Sequence, residues 1–183
     1  RWRTSKKPQS NRRNSMQEKE NVRDIARIGV MIALLEAVKN ALAFVPNVEL
    51  VTLFIILFTL FFEGKILFVI AAFDLIEGCL HGFGIWWVMY LYVWPLLALL
   101  TWLFRKQESV WFFSILSGVF GLLFGALCSI PYFFVGGANM AFTWWVAGIP
   151  YDLLHGASNF VLCLVLFKPL RNVMKKMAPG SIA

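Results

Sequence analysis

The chain has 183 residues, 60% hydrophobic and only 15% charged, with a mean hydropathy of +0.71. A soluble domain is nearer half apolar and about a quarter charged, and one core of this size cannot absorb so much apolar surface. That excludes an ordinary soluble domain and makes lipid the expected solvent for most of the surface.

The formal charge of +7 is unevenly spread: residues 1–27 hold nine Lys/Arg against three acids. A basic tail can bind nucleic acid. Directly before an apolar run it reads instead as a cytoplasmic flank facing anionic lipid. Residues 1–20 have no apolar stretch of the kind a signal peptide needs. They are expected to form a disordered basic tail, with Met16 a candidate translation start. Cys79, Cys128 and Cys163 lie inside apolar runs without metal-type spacing and read as small buried apolar residues.

A membrane helix needs roughly 20 apolar residues, with a range of about 17–25. In chain order, six candidate spans follow: 25–45 before Pro46, 48–63 before Gly64-Lys65, 65–81 before Gly82, 86–104 before Arg105-Lys106, 110–135 before Gly136-Gly137, and 141–167 before Lys168-Pro169. The last two are long enough to tilt or to extend past the bilayer. The N-terminal tail, the Lys65 turn, the Arg105-Lys106 loop and the tail from residue 171 to residue 183 are basic. The connections near Asn47, Gly82 and Asn139 carry no Lys or Arg. By the positive-inside rule both termini are expected in the cytoplasm, which requires an even number of spans. The expected fold is an all-α integral membrane bundle of six helices spanning residues 21–170. No Gly-rich phosphate loop with Lys-Ser/Thr occurs.

The loops expected outside are rich in aromatics: Trp86, Trp87, Tyr90, Phe142, Trp144 and Trp145. An interfacial belt accounts for such residues. Two Trp-Trp pairs beside Gly-rich turns also suit a cover over a large, partly apolar ligand. Ionisable groups at membrane depth are costly, and each is a candidate functional residue. Glu36 and Lys39 share one face of the first span and can neutralise each other. Asp74, Glu77 and His81 form one stripe on the third span, and Asp152, His155 and Asn159 another on the sixth. These stripes suit a polar ligand site, a metal or proton relay, or structural hydrogen bonding. Neither spacing is diagnostic of a metal, and no HExxH or nucleophile elbow is present.

Ala26, Gly29, Ala33, Ala37 and Ala41 recur at spacings of three and four along the first span. In lipid, close backbone approach through small residues favours helix contact. This stripe serves packing inside the bundle or docking of another membrane protein. Gly118, Gly121 and Gly125 make a weaker track, read as internal packing.

Taken together, residues 21–170 resemble the substrate-binding S-component of energy-coupling factor (ECF) transporters. The similarity is carried by Pro46-Asn47-Val48-Glu49-Leu50-Val51, Phe83-Gly84-Ile85-Trp86-Trp87, the stretch from Gly125 to Tyr132, and Ala147-Gly148-Ile149-Pro150-Tyr151-Asp152-Leu153-Leu154-His155. The resemblance implies a non-enzymatic, multi-pass subunit of a bacterial plasma membrane. It would capture a vitamin outside and dock on a transmembrane coupling protein bound to two cytoplasmic ATPases. ATP would be used only by those partners, and no catalytic cofactor or metal is implied. The Ala-x-x-x-Ala pattern carries the docking role to Ala33, Ala37 and Ala41, with Gly29 as an extension. The sequence looks most like the cobalamin-specific group, with queuosine-, riboflavin-, thiamine-, biotin- or folate-type ligands as alternatives. By depth and side, the expected substrate-binding residues are Asn47, Glu77, His81, Trp86, Trp87, Tyr90, Asn139, Trp144, Asp152 and His155. The competing expectation of another class is an intramembrane metal-dependent enzyme built on the two acid/His stripes. The broken helices and repeated halves of a secondary carrier are not evident.

Overall fold

A computed structural model describes residues 9–177, with side chains described for 22–175. It contains α1 (Gln9–Ala41), α2 (Val51–Phe62), a 3-10 turn (Glu63–Lys65), α3 (Ile66–His81), α4 (Ile85–Leu103), α5 (Val110–Cys128) and α6 (Ile130–Met177). No strand occurs among the described residues. Four stretches are long and apolar enough to cross a membrane: Val51–His81, Ile85–Leu103, Val110–Cys128 and Ile130–Lys175. Their outward faces carry Leu67, Phe68, Leu75, Leu91, Leu99, Ile115, Leu123, Val161 and Val165, all exposed. Apolar exposure on this scale belongs to a protein solvated by lipid, and it marks the chain as a membrane protein.

The helix directions follow from side-chain pairs. Asp24 binds Lys65 at 2.6 Å, and Lys39, further along α1, binds Glu77, further along α3. Helices α1 and α3 therefore run parallel. Between them, α2 runs the other way, since Phe58 and Phe62 near its end share a cavity with Ala26, Val30 and Leu34 of α1. The chain reverses at Glu63-Gly64-Lys65, where Glu63 takes φ +40. Helix α2 is apolar all round, and its residues Val51 to Thr59 are all buried. It is the central post on which the others pack, since α1, α3, α4, α5 and α6 all lie against it.

Helices α5 and α6 pack closest. A Cβ on Gly121 would lie 2.9 Å from the backbone of Gly156, and one on Gly118 would lie 3.0 Å from Cβ of Phe160. The glycine track on α5 is thus an internal contact, as its spacing predicts. The joint between the two helices has a specific cause. Pro131 has no N–H and cannot donate to the carbonyl four residues back, that of Leu127. The Tyr92 hydroxyl of α4 donates to that carbonyl at 2.7 Å. Ser129 keeps helical dihedrals (φ −75, ψ −16) and its N–H still reaches the Gly125 carbonyl at 2.9 Å. The expected helix over 110–135 is therefore only loosened there, and it leaves helical geometry at Gly136-Gly137, where its end was expected. Within α6, Gly136 (φ −137, ψ 17) and Gly137 (φ +76, ψ −173) depart from helical geometry. Tyr132 and Trp144 stack at 4.9 Å across this break. In a straight helix they would be roughly 18 Å apart, so the chain folds back here.

Four basic segments meet at one end of the bundle. Asp24 pairs with Lys65, Glu63 with Arg105 at 2.8 Å, and Glu108 with Arg171 at 3.4 Å. The hydrogen bond from Lys65 holds the Asp24 carboxyl below the usual range for aspartate.

Three helix ends depart from expectation. Helix α1 begins at Gln9, inside the segment expected to be a disordered tail; residues 9–20 contain no Gly or Pro and several good helix formers. Residues 1–8 lie outside the described residues. At its other end α1 stops at Ala41 rather than 45, closing in tight turns such as Val45 N–H to the Leu42 carbonyl, 2.9 Å. Pro46 disfavours helix at the residue before it. Helix α6 continues through residues 171–177 of the expected C-terminal tail; residues 178–183 lie outside the described residues.

Candidate functional site

Away from the basic end, the buried polar side chains gather in two clusters. The first lies between α1, α3 and α4. Glu77 is 0% exposed and takes a hydrogen bond from the Lys39 ammonium, with His81 Nδ1 3.5 Å away. Lys39 Nζ lies 5.2 Å from the Tyr90 ring centroid and 5.9 Å from those of Phe73 and Trp86. Tyr90 in turn touches Trp86 edge-on at 5.4 Å. Lys39 thus pairs across to α3 rather than with Glu36 on its own helix, the pairing its spacing allowed. The Glu36 carboxyl lies against that of Glu77, and neither Glu36 oxygen, nor Asp74 Oδ1, nor Glu77 Oε1 receives a hydrogen bond from an N–H or hydroxyl donor.

The second cluster joins the loop before α2 to α5 and α6. Glu49 Oε2 accepts from the Thr52 N–H at 2.9 Å, holding the first turn of α2, and Glu49 Oε1 lies 3.2 Å from His155 Nε2. A carboxylate at a helix N-terminus meets the free N–H groups and the positive end of the dipole. Asp152 Oδ1 accepts from the Gly125 N–H at 3.0 Å, because a glycine there lets the carboxylate reach the backbone of α5. Asn159 Nδ2 donates to Thr52 Oγ1 at 3.3 Å. Asp152 Oδ2 and Asn159 Oδ1 are buried without partners. Aromatic contacts join the clusters: Tyr90 to Trp94 at 5.3 Å, Trp94 to Phe124 at 5.7 Å, and Phe124 to His155 at 4.9 Å.

Of the ten expected binding residues, Glu77, His81, Trp86 and Tyr90 fall in the first cluster, and Asp152 and His155 in the second. Trp87 stands beside the first, but its indole N–H donates to the Asp74 carbonyl at 2.7 Å and its ring meets Phe83. Trp87 therefore fastens the end of α3 to the start of α4. Trp144 is stacked on Tyr132, away from both clusters. Asn139 is exposed beside the glycine break. Asn47, also exposed, adopts φ +57 and offers its carbonyl to the Ser158 hydroxyl at 3.0 Å. The expected set omits Lys39, Glu49 and Asn159. Glu49 had a readable signal, a carboxylate just before the first turn of a helix. Cavities of about 170 and 460 Å³ lie elsewhere, the first lined by Arg27, Phe62 and Met174 and the second by Glu63, Pro95 and Trp102.

Among the described residues, no three His, Cys, Asp or Glu side chains are grouped so as to hold a metal ion. Roughly nine in ten buried polar groups in proteins have a hydrogen-bond partner. Orphaned carboxylate and amide oxygens gathered at one end are what a bound molecule with matching donors would satisfy. Comparison with protein-family models, with curated proteins and with solved structures found no match.

Proposed function

We propose that the chain is the membrane-embedded substrate-binding subunit of an ECF-type vitamin transporter. It would capture its ligand outside the cell and hand it on by docking to a coupling protein. One observation carries this reading: the small-residue face of α1 is uncovered. Gly29, Ala33, Ala37 and Ala41 are all exposed, and a Cβ on Gly29 would meet nothing within 4 Å. Had the stripe served internal packing, as the glycines of α5 do, other helices of this chain would cover it. An exposed small-residue face in lipid is a ready helix-docking surface.

The alternating helix directions support six crossings, with α2 and α3 as separate passes of one hairpin. The ion-paired basic end then faces the cytoplasm with both termini, and the polar clusters lie toward the outside of a bacterial plasma membrane. ATP hydrolysis falls to two partner ATPases, and the chain itself is a binding protein rather than an enzyme. A corrinoid such as cobalamin is the first ligand to try, followed by queuosine-, riboflavin-, thiamine-, biotin- and folate-type compounds.

Co-expression with a coupling protein and its ATPase pair tests the proposal. The wild-type chain should co-purify with them and support ATP-dependent vitamin uptake. Ala33→Trp and Ala37→Trp should lose the complex while keeping ligand binding. If both variants assemble and transport normally, the docking assignment is wrong.

A further inference from the structure

The cluster between α1, α3 and α4 has a chemical bias. It gathers three carboxylates, Glu36, Asp74 and Glu77, against one lysine and one histidine. Its carboxylate oxygens without a protein donor are both of Glu36, which lies against the Glu77 carboxyl, Oδ1 of Asp74 and Oε1 of Glu77, while the Trp94 indole N–H beside Tyr90 is a donor without an acceptor. Asp74 is 2% exposed and Glu77 0%, so water does little to satisfy these atoms. The same cluster holds a cation among aromatic rings, with Phe73, Trp86 and Tyr90 all within 5.9 Å of the Lys39 ammonium. Aromatic faces around a desolvated ammonium are how proteins recognise organic cations. Three carboxylates crowded in a ring-lined site, with more unpaired acceptors than donors, call for a ligand that brings positive charge and N–H or similar donors.

We infer that this cluster is a binding site for a small organic cation, with the Lys39 ammonium as a tethered occupant that the ligand displaces. The inference rests on the reading that the chain binds a small molecule at this end, and it narrows the ligand to a charge class. The cluster reaches the surface of the bundle, since the Lys39 and His81 side chains are 28% and 52% exposed. Displaced, Lys39 leaves its aromatic position to the ligand, whose charge takes over the pairing with Glu77 and reaches Asp74. Anionic ligands such as carboxylate vitamins are disfavoured by the same three acids.

The test uses the purified full chain in lipid nanodiscs. Tryptophan fluorescence is titrated with three cations (thiamine, benzylamine and tetramethylammonium), with neutral riboflavin, and with anionic biotin. At least one cation should give saturable quenching. Asp74→Asn and Trp86→Leu should each weaken it roughly tenfold or more while the thermal midpoint stays near that of the wild type. Lys39→Met should tighten it, because a competing internal occupant lowers apparent affinity. Where Lys39→Met fails to fold, Asp74→Asn and Trp86→Leu decide alone. Binding of biotin that is lost in Lys39→Met, or of riboflavin that is indifferent to Asp74→Asn, overturns the cation site. So does the absence of saturable binding by all three cations up to about millimolar concentration, the weak end of specific affinity. The transporter reading fails separately. A chain that binds a cation in this pattern yet gives no coupling-dependent uptake keeps the site and loses the transporter. Coupling-dependent uptake of biotin or riboflavin unaffected by Asp74→Asn does the reverse.

Discussion

At the scale of single residues, neighbouring side chains of one type take different jobs. Trp86 and Trp87 are adjacent and alike in sequence, yet Trp86 lines the ring cluster around Lys39, while Trp87 spends its N–H on the Asp74 carbonyl. Sequence periodicity cannot separate them, because the difference depends on where α3 ends relative to α4. Trp87→Phe should therefore cost about 0.5–1.5 kcal/mol of stability, the net worth of one hydrogen bond, whereas Trp86→Phe should leave stability nearly unchanged. Thermal unfolding of the two variants side by side checks this. Glu49 was legible as a charge before a helix but not as the partner of His155, 106 positions away. Removing its carboxylate frees the α2 N-terminus and strips His155 of its acceptor. Glu49→Ala should lower stability by about 1–3 kcal/mol; a midpoint equal to wild type would show that the contact is idle.

At the scale of elements, small residues mark two different kinds of surface. On α5 they admit the backbone of α6, and on α1 they lie bare. Gly121→Val should push α5 and α6 apart and cost about 1–3 kcal/mol or more, as overpacking does. Gly29→Val, with open space around it, should stay within about 0.5 kcal/mol in the isolated chain. Comparing their melting temperatures separates the internal face from the bare one. Both stripes were visible in the sequence as spacings, but exposure is a property of the assembled bundle and was not. The limits of the second, third and fourth spans were legible to within three residues, but Lys168-Pro169 did not end the sixth, which runs on to Met177. The loosened joint at Ser129 was not legible, because an apolar run reads straight through Pro131, whereas the end of that span at Gly136-Gly137 was. Tyr92 supplies the donor that Pro131 lacks, so Tyr92→Phe should loosen that joint by about 1 kcal/mol, seen as faster amide exchange around Leu127.

At the scale of the whole molecule, the alternation of basic and base-free connections was the most informative signal in the sequence. The structure stitches the basic segments together through Asp24–Lys65, Glu63–Arg105 and Glu108–Arg171. Exposed pairs of this kind are worth little each, about 0–1 kcal/mol, so their contribution here is placement. Cysteines introduced at Asn47 and Asn139 in a background lacking Cys79, Cys128 and Cys163 should react with an impermeant thiol reagent added outside intact cells. One at Lys106 should react only after lysis, and the opposite pattern would invert the topology. Acid should weaken the Asp24–Lys65 tie in one direction only. Because the Asp24 carboxyl is held below its ordinary range, its contribution is full above that range and is lost as pH falls through the lowered value.

Helix α1 has a further consequence. At 100° per residue, Lys39 lies roughly 140° around the helix from the middle of the Gly29–Ala41 stripe. A single helix, about 10–12 Å across with its side chains, thus separates the ring cluster from the bare face. A ligand that displaced Lys39 would change the contacts on one side of a helix whose far side a partner would hold. Any change that ligand makes in partner affinity must be returned as an equal factor in ligand affinity when the partner binds. Release on docking and docking on capture would then be two measurements of one coupling energy, carried by the thickness of α1.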